Sequence, residues 1–114
     1  MDDAKWLAVF VEMHDMLKKC YVVARKSVIK ELLDKMCEHI QNLIAAFKKT
    51  NQNPDMDIVF SQLSFIFSNI ESIRFNSHRE SRCSKNLFEK AKFARQQLRK
   101  ACQHHPLGRE YLIR

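Results

Sequence analysis

The sequence contains very little glycine and proline. Gly108 is the one glycine, and Pro54 and Pro106 are the two prolines among 114 residues. Tight β-turns usually draw on glycine, proline or Asn-Gly pairs, so this scarcity argues against β-sheets and favours an all-α fold. Loops that hold phosphate groups and turns that expose a catalytic nucleophile also need glycine, because the backbone must approach a ligand closely there. One glycine is too few for either kind of site.

Long hydrophobic runs and paired cysteines are also missing. The longest apolar stretches, such as LAVFV at residues 7–11, are far shorter than the roughly 20 residues that cross a bilayer. Cys20, Cys37, Cys83 and Cys102 lie 17, 46 and 19 positions apart, and the N-terminus has no signal-peptide pattern. We therefore expect an intracellular protein, cytoplasmic or nuclear, with reduced thiols and no membrane span.

What the sequence does contain is enough apolar surface for one folded domain. Hydrophobic residues make up 46% of the chain and charged residues 29%, which excludes the disordered class. Residues 109–114, REYLIR, resemble the start of a further helix that is cut short. We interpret residues 1–114 as a single helical-bundle domain, and a fragment of a longer chain is an alternative to a complete protein.

Apolar residues recur every three or four positions over four stretches, the spacing that lines one face of a helix. The first two stretches cover residues 3–49, and no glycine or proline separates them at ARKS, residues 24–27. Two interpretations stay open: two helices with a break near Ser27, which we favour, or one rod of about 70 Å. A compact monomer could hardly contain such a rod.

The third helix has the clearest start signal. KKTNQNPD at residues 48–55 combines turn-forming Asn with Pro54 and Asp55, which both suit the beginning of a helix. A third helix is therefore predicted to begin at this point and to run to about Ile73.

The fourth helix is predicted to begin at Ser77, because Ser77 and Glu80 have the spacing of a capping box. It is predicted to end at HHPLG, residues 104–108. Its inward-facing residues are predicted to be Cys83, Leu87, Ala91, Ala94, Leu98 and Ala101. The fold expected from these segments is an antiparallel bundle of four main helices with a short fifth C-terminal helical segment that starts at Pro106.

Positive charge is concentrated around the fourth helix. Residues 74–100 hold nine Lys and Arg against Glu80 and Glu89, an excess of seven that equals the formal net charge of +7 for the chain. On a helical wheel that advances about 100° per residue, with Leu87 at zero, the sector between about 80° and 160° collects four cations and one aromatic ring. These residues, called the basic stripe below, are Lys85, Phe88, Lys92, Arg95 and Arg99.

Two explanations of the basic stripe are equally good at this stage. In the first, long basic side chains solvate an ordinary surface helix while Phe88 tucks against a neighbouring helix at the edge of the core. In the second, the stripe is a binding face, because its cations repel one another and an acidic partner relieves that repulsion while Phe88 anchors it.

The binding interpretation allows three kinds of partner. We favour an acidic amphipathic protein segment, since a groove between helices rimmed by Lys and Arg is enough to hold one. Nucleic acid is the runner-up: the cations could contact phosphates, but no zinc-finger spacing and no paired aromatics for base stacking accompany them. The third alternative is a homo-oligomer formed through Ile58, Phe65 and Phe75 of the third helix, or through an unbroken first rod.

No constellation of catalytic or metal-binding residues emerges. Cys102, His104 and His105 lie together in the sequence, but no paired spacing defines a metal geometry. A catalytic site needs a nucleophile or metal, a base and a group that orients it in one pocket, and no such grouping can be argued. We therefore expect no cofactor, no metal and no enzymatic activity, and we interpret the chain as an adaptor or scaffold.

Overall fold

A computed structural model describes residues 3–21, 27–49, 54–76, 82–101 and 103. Within these ranges the chain forms four α-helices and no β-strand. The helices are α1 (Asp3–Cys20), α2 (Ser27–Lys48), α3 (Met56–Asn76) and α4 (Arg82–Ala101). The all-α prediction is confirmed for the described part of the chain. None of these four helices combines the length and the apolar character that a membrane crossing requires.

The break between α1 and α2 decides between the two interpretations of residues 3–49. α1 ends at Cys20, and the N–H of Tyr21 then donates to the carbonyl of Lys18 at 3.2 Å, a short-range bond typical of a helix end. α2 begins at Ser27 and packs against α1. The prediction of two helices is confirmed, and the alternative of one unbroken rod is wrong, because the two apolar faces bury each other.

The start of α3 follows the predicted signal closely. Asp55 precedes the helix, and its carboxylate oxygen Oδ1 accepts a hydrogen bond from the N–H of Asp57 at 3.0 Å. The carbonyl of Asp55 accepts the N–H of Val59, also at 3.0 Å. Asp55 therefore acts as the N-cap of α3: its side chain accepts the N–H of Asp57 in the first turn, where N–H groups have no acceptor within the helix, and its carbonyl accepts the first helical hydrogen bond.

Each helix packs against two neighbours: α1 and α3 both contact α2 and α4. Side-chain pairs show which ends of α1 and α2 meet. The ring of Phe10, in the first half of α1, lies 5.4 Å from the ring of Phe47 near the end of α2. Tyr21, just after α1, donates a hydrogen bond from its hydroxyl to Asp34 in the first half of α2.

All four helices contribute to one hydrophobic core. Trp6 is 6% exposed and stacks on Phe10 with 5.5 Å between ring centroids, so the only tryptophan is a core residue. The largest side chains with almost no exposed surface are Phe10, Met13, Leu17, Leu33, Met36, Ile40, Leu43, Phe60, Leu63, Ile66, Leu87 and Leu98. Burying each such side chain stabilises the folded state by roughly 1.5–3 kcal/mol.

Two sequence predictions fall outside the described residues. The capping box at Ser77 and Glu80 precedes Arg82, the first described residue of α4. The fifth helical segment, predicted to start at Pro106, also lies beyond the described part of the chain.

Candidate functional site

α4 buries one side against the other helices, and its charged residues lie around the rest of its circumference. Leu87, Ala91, Ala94 and Leu98 are all buried, at no more than 5% exposed surface, as the wheel predicts for the inward side. Alanine at two of these positions shortens the distance at which a neighbouring helix can pack. The side chains of Cys83 and Ala101, also predicted to face inward, lie outside the described part of the structure.

The residues of the basic stripe do not share one environment. Lys85 and Lys92 are exposed, whereas Phe88, Arg95 and Arg99 are half-buried. Phe88 packs against the hydrophobic core, which agrees with the first explanation of the stripe for this residue. The Nε atom of Arg99 is buried and has no hydrogen-bond partner among the described residues.

A recess of about 250 Å³ lies between α3 and α4 and includes three residues of the basic stripe. Its lining, which defines the α3/α4 recess, is Phe67, Ile70, Phe88, Ala91, Lys92 and Arg95. The four apolar members come from both helices, and the two polar members are both cations. Lys85 and Arg99 do not line the recess, but they lie two turns of α4 to either side of Lys92 along the helix axis.

The charges on the other side of α4 are already engaged with α1. Lys90 forms an ion pair with Glu12, and the ammonium group of Lys5 lies over the ring of Phe93, 5.9 Å from its centroid. By contrast, no ion pair among the described residues involves Lys85, Lys92 or Arg99. Lys90 is therefore neutralised by α1, whereas these three cations have no paired carboxylate among the described residues, and Glu89 is the one acidic residue of α4 near them.

The size and lining of the α3/α4 recess limit what it can hold. Sites for small molecules and cofactors usually measure about 300–1,000 Å³, and this recess is smaller. An apolar floor with cations at the edge suits one large apolar side chain whose neighbours carry carboxylates. The recess therefore matches part of a polypeptide better than a free ligand.

A second recess, of about 270 Å³, lies between the end of α2 and the start of α3. Lys49 and Asp55 both line it, so its edge does not carry charge of one sign. Ile58, another lining residue, is also one of the residues predicted for self-association, and it is 54% exposed. Phe65, the second such residue, is half-buried and lies beside the ring of His39, with 4.6 Å between the ring centroids. The third residue predicted for self-association, Phe75, has a side chain outside the described part of the structure.

A polar cluster between α1 and α2 contains a buried thiol, Cys37, whose pKa is shifted. Burial raises the pKa of the Cys37 thiol, against the effect of its hydrogen bond with Tyr21; the Asp34 carboxylate raises it further, and Lys18 opposes it. Burial and the hydrogen bond to Asp34 also raise the pKa of Tyr21. A thiol that keeps its proton is a poor nucleophile, so the cluster does not supply an activated cysteine.

The metal candidate from the sequence lies elsewhere. Cys102, His104 and His105 are outside the described residues. Within the described ranges, no group of three or more His, Cys, Asp or Glu is placed to hold a metal ion.

The α3 side of the recess and the exposed aromatic of α4 are not predicted from the sequence. Phe67 and Ile70 belong to the apolar positions of α3, and the helical wheel of α4 carries no information on which residues of another helix lie opposite. Phe93, at 41% exposed, is the large aromatic of α4 that reaches solvent. Its position on the wheel, about 240° from Leu87, points away from the core and was the available signal.

Comparison with known proteins adds no assignment. No protein-family model, no curated protein and no solved structure matches the chain. The function has to be argued from the residues of α3 and α4.

Proposed function

We propose that the protein is a non-enzymatic interaction module, an adaptor or scaffold, that binds an acidic amphipathic segment of a protein partner along α4. The α3/α4 recess carries this proposal. It joins an apolar floor from two helices to a rim formed by Lys92 and Arg95, and an acidic segment with one large apolar side chain complements both parts. Phe88 forms part of the recess wall, while Lys85 and Arg99 extend the positive surface along the helix.

Uncompensated charge supports the same conclusion. α4 carries seven basic residues and one acidic residue, Glu89, and Lys90 is paired with Glu12 of α1, while Lys85, Lys92 and Arg99 have no ion pair among the described residues. Like charges on one helix face repel each other, and a partner that supplies carboxylates removes that repulsion on binding. Nucleic acid offers negative charge as well, but it has no aliphatic side chain to fill the apolar recess, so the recess favours a protein partner.

Three further features belong to this proposal. The helices form an antiparallel bundle, supported by the pairing of Phe10 with Phe47 and of Tyr21 with Asp34. A short fifth helix follows from Pro106. The protein works in a reducing, intracellular compartment, which the free thiol of buried Cys37 suits.

The test is a binding titration with a designed acidic amphipathic peptide. The peptide has about 21 residues, or three heptads, and carries a fluorescent label so that binding is read as anisotropy. Lys85→Glu combined with Lys92→Glu reverses two exposed charges without touching the core. We expect the dissociation constant to rise at least about tenfold, which corresponds to roughly 1.4 kcal/mol.

The matched control reverses two exposed charges on a different helix. Lys30→Glu combined with Lys35→Glu changes the net charge by the same amount on α2, a helix that does not neighbour α4. At about 0.15 M salt the Debye length is near 8 Å, so this control should leave affinity almost unchanged. Equal weakening by both double variants would mean that general electrostatic attraction, and not the basic stripe, holds the peptide.

A duplex DNA of about 20 base pairs provides the competing arm. Binding through phosphates would show log affinity falling linearly with log salt concentration. Tighter binding of DNA than of the peptide, lost in the Lys85 and Lys92 double variant, would refute the protein-binding proposal in favour of nucleic acid. Sedimentation of the free protein at two concentrations tests the third alternative, a homo-oligomer.

A further inference from the structure

The basic stripe has a heptad spacing. Its five positions follow one another at intervals of three, four, three and four residues along α4, which is the spacing of the a and d positions of a coiled coil. α4 is continuous over all five, so the spacing is realised on one helix. This seam lies beside the buried face that contains Leu87 and Leu98 and does not coincide with it. α4 therefore has one heptad seam buried in its own domain and a second, partly exposed one beside it, called the outward seam below.

The outward seam consists of two rows that repeat every seven residues. One row is Lys85, Lys92 and Arg99, and the other is Phe88 and Arg95. In the first row Lys85 and Lys92 are exposed and Arg99 is half-buried, while both members of the second row are half-buried. The first row is thus the outer one, and the second borders the α3/α4 recess.

The distance between successive cations of the outer row decides what form of polypeptide can match them. Seven residues of helix rise about 10.5 Å. In an extended strand, side chains on one face repeat about every 6.6 Å, so the strand position nearest the second cation lies about 3 Å out of step with it. A second helix with acidic residues seven positions apart has the same repeat of about 10.5 Å as the row. The helix therefore keeps one carboxylate in step with each of the three cations, which a strand does not.

The charge of the row determines what the partner helix must carry. Cations enclosed at a helix interface without opposite charges are strongly destabilising, and no ion pair among the described residues engages Lys85, Lys92 or Arg99. Two of these positions lie two turns on either side of Lys92, the one residue of the row that also lines the recess. The partner therefore needs three acidic residues in one row, with an apolar side chain next to the middle one.

We infer that the partner segment is an α-helix that lies lengthwise along α4, with Asp or Glu at three successive seven-residue intervals facing Lys85, Lys92 and Arg99. A large apolar residue beside the central carboxylate enters the α3/α4 recess. Because a seven-residue row drifts by about 20° per heptad on a straight helix, the partner winds around α4 with a left-handed twist. This inference rests on the proposed function and adds the conformation and the charge register of the partner.

Three labelled peptides of equal length and equal charge test the conformation. The first has Glu at three positions seven residues apart, with Leu next to the central Glu. The second has the same residues rearranged so that the three Glu lie five positions apart, about 140° from one another around a helix. The third is the first peptide with one central residue exchanged for proline, which breaks the helix. We expect the first peptide to bind at least about tenfold more tightly than either of the others.

A charge exchange at Lys92 tests the register. Lys92 is the middle cation of the row, so the central Glu of the first peptide faces it whether the two helices run parallel or antiparallel. Lys92→Glu should weaken the first peptide by about tenfold, and a peptide with Lys at the central position should regain most of that affinity with this variant. Lys35→Glu, an exposed reversal on α2, should show neither effect. Circular dichroism confirms that each variant remains folded.

The possible outcomes distinguish a failure of the helical register from a failure of the proposed function. Equal binding of all three peptides, or no recovery in the charge exchange, overturns the helical register while the protein-binding proposal stands. Absence of binding by all three peptides refutes the proposed function and the register together.

Discussion

Replacing Phe10 by alanine is the sharpest test of the packing between α1 and α2. Phe10 has no exposed surface, and its ring lies between two others, 5.5 Å from Trp6 and 5.4 Å from Phe47. Removing the ring leaves a cavity that the surrounding helices can close only in part, so the variant loses both transfer energy and packing contacts.

The expected loss is large compared with the stability of a domain of this size. A buried Phe→Ala exchange typically destabilises by about 3–5 kcal/mol, whereas domains unfold with roughly 5–15 kcal/mol. With a slope of about 2 kcal/mol per molar urea, the midpoint of unfolding should fall by about 2 M. The slope itself should stay the same, because the same surface is exposed on unfolding.

Urea unfolding followed by circular dichroism and by the fluorescence of Trp6 measures this change. Val11→Ala is the control on the same helix, since Val11 is 41% exposed and surface exchanges usually stay within about 0.5 kcal/mol. If Phe10→Ala shifts the unfolding midpoint no more than Val11→Ala does, the Phe10 side chain is not buried. The assignment of Phe10 to the hydrophobic core would then be wrong.

A double-mutant cycle extends the test to the relative direction of α1 and α2. Phe10→Ala and Phe47→Ala, alone and together, should reveal a coupling energy of about 0.5–1.5 kcal/mol, the usual value for an aromatic pair. Phe47 stands near the end of α2, so coupling to Phe10 requires the antiparallel arrangement. Strict additivity of the two changes would contradict it.

Three further predictions concern charge and ionisation. Glu12→Gln removes the ion pair with Lys90 and should lower the free energy of unfolding by less than about 1 kcal/mol, because the side chains of Glu12 and Lys90 are 57% and 30% exposed. A loss several times larger in urea unfolding would show that the pair is shielded from solvent. Burial raises the pKa of the Cys37 thiol above its ordinary 9.0, so the folded chain holds a proton that the unfolded chain releases. The free energy of unfolding should therefore fall as pH rises above about 9, and Cys37→Ser should flatten that decline; an unchanged slope would count against the shift. Tyr111→Phe leaves Tyr21 as the one tyrosine of the chain, and its hydroxyl should ionise above the ordinary pKa of 10.0, owing to burial and its hydrogen bond to Asp34. Absorbance at alkaline pH measures this ionisation. A pKa at the ordinary value would mean that the phenol is solvated.

Several features of the fold follow from neighbouring residues and are predictable from the sequence. The apolar spacing predicts which stretches are helical, and Pro54 with Asp55 predicts where α3 starts, because a cap involves groups only two to four residues apart. Leu87 and Leu98 are predicted to face inward and are buried. In each case the physical cause lies within one helix.

The candidate site is only partly predictable from the sequence, because its surroundings depend on contacts between different helices. The basic stripe can be derived from one wheel, but its environment cannot, since Phe88 turns out to be half-buried against the core. Phe67 and Ile70 complete the recess from α3, and spacing along α4 says nothing about which helix lies beside it.

By itself, the sequence determines that this chain is helical, that a helix starts near Pro54 and Asp55, and that α4 combines a basic stripe with a seam of small and apolar residues. Only the tertiary structure decides that α1 and α2 are separate helices, that α3 borders the basic stripe, and that Glu12 pairs with Lys90 while no described carboxylate pairs with Lys92. The first group depends on residues within a few turns of one helix. The second depends on how distant segments pack, which minimises exposed apolar surface over the whole domain and leaves no trace in local spacing.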